Sequence, residues 1–355
     1  MVLRIRNTAT VVVIFVTFIS LSFVYCNKDE GDKIVNTYSS VPDSADVFEI
    51  NSRLGRCMNL GNALEAPTEG EWGVTLKEEY FELIKNEGFN SVRIPIRWSA
   101  HALEESPYAI HQSFFNRIDW AIDQALQRDL LVVINIHHYE EIMSEPEKHL
   151  DRFLSLWQQI STRYKYYPIE LIFEVLNEPH DALTAEIWND YMVQAINVIR
   201  ATNPTRILMV GPPDWNGIGG LSKLNVPEND TNIIVTVHYY NPFQFTHQGA
   251  GWVDGSDEWL GTTWTATPSQ KQAIIDDFSS VTSWANTHNR PIYVGEFGAY
   301  SAADMNSRIA WTTYLARHLE SIGFSWAYWE FCSGFGIYNT STESWNAGLL
   351  RALMP

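Results

Sequence analysis

The chain has 355 residues, of which 45% are hydrophobic, 13% aromatic and 19% charged; 24 Lys+Arg stand against 42 Asp+Glu, for a formal charge of −18. With 14 Trp, 16 Tyr and 17 Phe it is far from the aromatic-poor composition of a disordered chain, and it lacks the basic footprint that phosphate backbones require, so nucleic acid is not an expected partner. Three cysteines are too few for a disulfide framework or a cysteine-based zinc site.

Residues 1–25 read as an export signal. Arg4 and Arg6 form a basic start, and Val11–Val24 is an uncharged apolar run, shorter than the roughly 20 residues a spanning helix needs. Cys26 follows, and then Asn27-Lys28-Asp29-Glu30. A Cys in this place resembles a bacterial lipoprotein cleavage site, although Tyr25 is bulkier than the small residue usual before it. A permanent anchor helix is the alternative to a signal; with a signal, two readings stay open, a lipid on Cys26, then the only membrane contact expected, or plain secretion. Residues 26–45 are polar and aperiodic, as in a flexible tether.

From residue 46 to 355 no Pro/Gly/Ser linker and no internal repeat interrupts the chain, so a single domain is expected. Short strand-like runs recur at Arg56–Leu60, Ser91–Trp98, Leu130–His138, Leu171–Glu178, Arg206–Gly211, Ile233–Tyr240, Pro291–Phe297 and Phe324–Glu330. They are continuously apolar rather than alternating, the pattern of parallel strands buried on both faces. Between most of them lie amphipathic stretches: Leu76–Glu87, Phe114–Arg128, Arg152–Tyr164, Ala185–Arg200, Lys271–His288 and Met305–Ser321. This alternation predicts an α/β fold, the (β/α)8 barrel. An open doubly wound sheet is the alternative, but no glycine-rich phosphate turn follows any strand. The long segment Asn241–Pro268 carries Trp252, Trp259 and Trp264 and is expected to be an ordered wall of the barrel mouth.

Chemistry in such a barrel sits at the C-terminal strand ends, and nearly every strand here ends in a residue able to do chemistry. The first leads to Asn62 and Glu65, and the second carries Arg93. The third ends in His137-His138, the fourth in Asn177-Glu178-Pro179 and the sixth in His238-Tyr239-Tyr240. The seventh ends at Glu296, and the eighth offers Trp329 and Glu330. Singly, each has an ordinary structural explanation: a core-bonded histidine, a loop-capping carboxylate, a packed tryptophan. Those explanations would all have to hold at once.

Two carboxylates on nearby strand ends suit glycoside hydrolysis, in which one group is protonated to donate to the leaving oxygen and the other stays ionised. Arg93 and the Tyr240 hydroxyl favour the charged form of Glu296. Asn177 can hold a substrate hydroxyl in register, and Trp329 offers an apolar floor to a sugar ring. A metal-dependent hydrolase is a rival, with His137, His138, His238, Glu178 and Glu296 as raw material. It lacks a His-x-His pair on the first strand and an Asp at the end of the last. A non-catalytic carbohydrate-binding barrel needs the aromatics but not both carboxylates.

The ordered set of Arg93 in Val-Arg-Ile-Pro-Ile-Arg-Trp, His137-His138, Asn177-Glu178-Pro179, His238-Tyr239-Tyr240, Glu296 in Val-Gly-Glu-Phe-Gly, and Trp329 resembles glycoside hydrolase family 5 over about residues 46–354. Asn62-Ala63-Leu64-Glu65-Ala66-Pro67, Asn241-Pro242-Phe243 running to Thr246-His247-Gln248-Gly249, and Trp326–Cys332 look most like its bacterial endo-acting cellulases with mixed glucanase and mannanase activity. The resemblance implies retaining hydrolysis of internal β-1,4 bonds in a β-linked plant polysaccharide or oligosaccharide. Glu178 is then the acid/base and Glu296 the nucleophile. Arg93, Asn177, His238 and Tyr240 are the supporting residues, and Asn62, Glu65, His137, His138, His247, Trp252 and Trp329 line the sugar subsites. No metal and no cofactor is called for, and a monomer is expected because a polymer needs an open cleft. Endo-mannanase as the main activity is an alternative within the family. Cys57 and Cys332 would lie on neighbouring strands; a disulfide is one reading, and two buried thiols the expected one.

Overall fold

The protein is described by a computed structural model that covers residues 44–355. The expected export signal, Cys26 with its lipid alternative, and all but the last two residues of the expected tether lie outside the described residues. Ala45, within that tether, is half-buried against an apolar cluster at the barrel floor.

Helix α1 (Val47–Leu54) comes first, with the Asp46 side chain accepting the Phe48 N–H at 2.8 Å. Eight parallel strands then close a barrel in chain order: β1 (Arg56–Asn59), β2 (Ser91–Ile94), β3 (Leu131–Asn135), β4 (Leu171–Glu174), β5 (Leu208–Val210), β6 (Ile233–His238), β7 (Ile292–Phe297) and β8 (Ser325–Tyr328). β8 pairs back onto β1 with Cys57 opposite Ala327. Every strand falls inside a run expected from the sequence, and the longest overshoots, after β2, β3 and β4, are at the C-terminal end, where the polar residues stand.

The helices around the barrel are α2 (Glu78–Asn86), α3 (Gln112–Leu126), α4 (Glu140–Ser144), α5 (Pro146–Arg163), α6 (Ala185–Arg200), α7 (Phe243–Thr246), α8 (Pro268–His288) and α9 (Met305–Ser321). The starts of several are written in the sequence. Thr267 and Gln270 form a capping box on α8 with Pro268 in its first turn, and Asp304 caps α9 by accepting the Ser307 N–H at 3.0 Å. A 3-10 turn at Ile218–Lys223 stands where a helix would join β5 to β6. A two-stranded hairpin of β9 (Tyr338–Asn339) and β10 (Ser344–Trp345) leads into α10 (Ala347–Leu353), which packs on α9.

Alternate residues of each strand point into the barrel. At its floor these are Cys57, Leu131, Val133, Ile172, Ile207, Met209, Ile234, Tyr293 and Ala327, a cluster closed from below by Val47, Ile50 and Leu54 of α1. Two positions further along the same strands the inward residues become Asn59, Asn135, Glu174, Gly211, Thr236 and Trp329. The alternation breaks once, in β7: His238 pairs with Glu296 directly after Val237 pairs with Val294, so Gly295 is an extra residue. This bulge turns Glu296 into the mouth, where strict alternation would point it at the helices.

Cys57 and Cys332 are free thiols. Cys57 is buried in the floor cluster, whereas Cys332 is half-buried in the loop after β8, so the two sit at opposite ends of the barrel. The 241–268 segment is an ordered wall. It contains α7 and a 3-10 turn at Ser256–Trp259; Trp264 is buried with its backbone N–H given to Ser307 Oγ at 3.0 Å, and Trp252 stands out into solvent.

Candidate active site

Arg93 occupies the inward position of β2 and is fully buried. Each of its five N–H donors has a partner. Nε and Nη2 grip the Glu174 carboxylate at 2.6 and 2.8 Å, Nη1 donates to Asn59 Oδ1 at 2.9 Å and Glu296 Oε1 at 2.7 Å, and Nη2 also donates to Asn177 Oδ1 at 2.7 Å. One cation thus ties β1, β2, β4 and β7 together beneath the mouth. Glu174 and Asn59 escaped the sequence analysis, although a carboxylate inside the apolar run Leu171–Glu178 was a visible signal.

Glu296 accepts from Arg93 through Oε1 and from the Tyr240 hydroxyl through Oε2 at 2.9 Å. Burial raises its carboxyl above the ordinary value, opposed by His238 and by the Arg93 charge. Burial also holds the Tyr240 hydroxyl protonated, as a donor.

Glu178 stands across from it in a left-handed backbone conformation (φ 46°), with 22% of its side chain open to solvent. The protein packed around it pushes its carboxyl up to about 7, Arg93 pulling against this. His238 bridges the two acids: Nδ1 is 2.6 Å from Glu178 Oε1 and 3.7 Å from Glu296 Oε2. Burial takes this imidazole down to about 4, so it is neutral near pH 7. Asn177 is buried beside Arg93, which occupies its carbonyl and leaves the amide N–H groups for a ligand.

Trp329 lies over Gly61, where a Cβ would come within 2.9 Å of the indole. His137 is parallel to the indole at 5.9 Å. Asn135 Nδ2 donates to His137 Nδ1 at 3.0 Å, which puts the proton of the neutral ring on Nε2. His138 is half-exposed, edge-on to Trp72 at 5.4 Å. Glu65 is buried, pushed up to about 7, and accepts the backbone N–H groups of Asn62 and Ala63, so it shapes the turn that presents Asn62. On the other side His247 stacks on Phe243 at 4.1 Å, and Trp252 meets Tyr300 edge-on at 5.0 Å. The fold therefore joins Arg93, Asn177, Glu178, His238, Tyr240 and Glu296 in one network at the mouth, and sets His137 parallel to Trp329. It adds Trp215, 53% exposed and lying flat on His180 at 3.4 Å, two residues beyond Glu178. An isolated Trp in a loop gave the sequence no handle on it.

Of the metal-ligand raw material, only Glu178, His238 and Glu296 converge, with ligand atoms within 4.8 Å of one another. These atoms already serve each other, Arg93 and Tyr240, and an ion there would have to displace the guanidinium and the phenol.

Residues 58–334 match the family described as cellulase, glycosyl hydrolase family 5. The chain is 35% identical over 321 residues to Endoglucanase H of Acetivibrio thermocellus, covering 89% of this chain and 34% of that protein. It is 30% identical to Endoglucanase B of Clostridium cellulovorans, covering 81% of this chain and 70% of the relative. It spans 39% of Cellulase/esterase CelE, also of A. thermocellus, and so about a third to two fifths of the two A. thermocellus relatives. Among solved structures, Thermotoga maritima Cel5A in complex with cellobiose superposes with a TM-score of 0.86 at 54% identity, covering 87% of this chain and all of that one. A complex of the same protein with mannotriose superposes equally well.

Proposed function

The chain belongs to glycosyl hydrolase family 5, and on that premise we propose that it is a retaining endo-β-1,4-glucanase. The observation that carries this reading is the pair of carboxylates held in unlike surroundings. Glu296 is fixed by a guanidinium and a phenol, and Glu178 is largely buried, with 22% of its side chain open to solvent, and pushed up to about 7. Glu178 protonates the glycosidic oxygen while Glu296 attacks the anomeric carbon. The deprotonated Glu178 then takes a proton from water, which releases the sugar from Glu296 with its configuration retained. An oxygen of one acid lies within 4.8 Å of an oxygen of the other, on the short side of the roughly 6.5–9.5 Å gap that inversion requires for its water.

Trp329 with His137 and Asn62 forms the surface for the ring that is attacked, Asn177 offers its amide to the 2-hydroxyl, and Trp215 offers a platform on the leaving-group side. His138, His247 and Trp252 extend the cleft. The mannotriose complex of the Thermotoga protein supports mannan as a secondary substrate. The basic start and apolar run before Cys26 support an extracytoplasmic location, with Cys26 as the site of any lipid, and the open cleft supports a monomer. The test is hydrolysis of carboxymethyl-cellulose, barley glucan, xyloglucan and glucomannan by wild type and Glu296→Gln in parallel. Turnover of the glucans that vanishes in the variant supports the reading; no turnover, or turnover that survives, overturns it.

A further inference from the structure

Asn216 lies in the loop after β5, fully buried, at the end of a run of three left-handed residues, Asp214, Trp215 and Asn216 (φ 64°, 63° and 53°). Its carbonyl accepts the His238 backbone N–H at 2.9 Å, and Gly217 forms an isolated parallel bridge with His238. Its side-chain Nδ2 reaches His238 Nε2 at 3.4 Å. Two glycines make the room. A Cβ on Gly211, the inward residue at the end of β5, would stand 2.0 to 2.7 Å from the Asn216 amide, and one on Gly295, the bulge residue of β7, would stand 3.1 Å from His238 Nε2. The catalytic mechanism proposed above uses neither the amide nor this arrangement.

We propose that Asn216 is a positioning residue that fixes the tautomer of His238 and, through it, which oxygen of Glu178 carries the catalytic proton. The inference rests on the reading of Glu178 as the acid/base. An amide N–H donating to Nε2 requires a lone pair there, so the single proton of the neutral ring sits on Nδ1 and is donated to Glu178 Oε1. The proton of the acid is thereby confined to Oε2, the oxygen free to face a leaving group. The opposite tautomer would accept a proton from Oε1 and turn the acid away from its substrate. Amide orientation and tautomer are therefore one choice. Charged and titratable groups surround the ring from several elements: Glu178 and Glu174 from β4 and its end, Glu296 from β7, Arg93 from β2, and His137 from the end of β3.

The test is nitrogen NMR of the full chain carrying 15N-histidine, with the His238 signals identified by their loss in His238→Gln. The wild type is expected to show Nδ1 protonated and Nε2 bare. In Asn216→Asp the new carboxylate is an acceptor, so Nε2 becomes protonated whether the ring is neutral or cationic. In the neutral case the bare Nδ1 takes the acid's proton onto the Oε1 side, and in the cationic case the imidazolium charge drives the Oε2 proton off to solvent, so either way less acid stands poised on Oε2. The kcat/KM for cellotetraose should then fall about 10- to 100-fold, while kcat/KM for an aryl cellobioside with a dinitrophenol leaving group, whose first step needs no acid, loses less than about 3-fold. Gly211→Ala, which crowds the amide, should show the same split between substrates. A wild type with Nε2 protonated overturns the inference even if it hydrolyses glucan, and so does an Asp variant with Nε2 still bare or with equal losses on both substrates. A wild type with no glucan turnover removes the parent reading, and the inference with it.

Discussion

The floor and the mouth of the barrel are built by the same eight strands, and they differ in what occupies the inward positions. At the floor Val133, Ile172, Met209 and Ile234 pack against α1 with no solvent reaching them. Two positions further along, β4 changes from Ile172 to Glu174 and β6 from Ile234 to Thr236 and His238. The floor holds by burial of apolar surface, which needs no partner of particular geometry. The mouth holds because each buried charge is met: Arg93 gives five N–H groups to Glu174, Asn59, Glu296 and Asn177, an arrangement that costs stability wherever one partner is lost. Stability is thus concentrated at one end of the barrel and chemistry at the other, and the comparison can be broken by mutation at either end.

The largest effect is expected at the mouth. Glu296→Gln removes the nucleophile and should lower kcat on soluble glucan by roughly 10,000-fold or more, with a folded protein by circular dichroism. Glu178→Gln should cost about 100- to 10,000-fold in kcat/KM on glucan and much less in kcat/KM on a dinitrophenyl glycoside, whose first step needs no acid, while kcat on that glycoside falls because the second step loses its base. Arg93→Met leaves Glu174 and Glu296 facing each other without their cation; urea denaturation should show a loss of about 3–5 kcal/mol together with the loss of turnover. At the floor, Met209→Ala should cost about 2–5 kcal/mol by the same measurement while kcat per folded molecule stays at the wild-type value. A floor variant that loses turnover in its folded state would erase the distinction between the two ends.

The smallest effect is a pH signature. The alkaline limb of kcat/KM should fall near pH 7, where Glu178 gives up its proton, and Glu178→Gln should abolish that limb. Glu65, Glu178 and Glu330 each sit near 7, above their ordinary value, because burial disfavours their charged forms. A raised carboxyl binds its proton more tightly in the folded state than in the unfolded one. Its stability contribution is therefore full below about pH 4.5 and lost as pH rises through 7, and Tm from these groups should decline across that window.

The barrel was legible because eight apolar runs and six amphipathic stretches carry their own periodicity, and each observed strand falls within its run. The residues around the mouth were legible for a related reason: a polar residue ending an apolar run announces itself. What stayed hidden depends on contacts between distant segments. Helix α1 is short, and its role is defined by the barrel floor it covers. The Gly295 bulge that aims Glu296 inward appears only once β6 and β7 are paired. Asn216 and Trp215 reach the site from the loop after β5, and no local pattern distinguishes them from ordinary loop residues. The cysteine reading was half right: both thiols are free, but Cys332 is only half-buried, and the two lie at opposite ends of the barrel rather than on neighbouring strands.

The most direct test of the account is the configuration of the first-formed product. Proton NMR of a cellopentaose digest, recorded before mutarotation, reads the anomer released at the new reducing end. Attack by Glu296 followed by water delivered through Glu178 predicts the β-anomer first, with the α-anomer growing in only at the rate of spontaneous mutarotation. Initial release of the α-anomer would mean a single displacement by water, and Glu296 could not be the nucleophile.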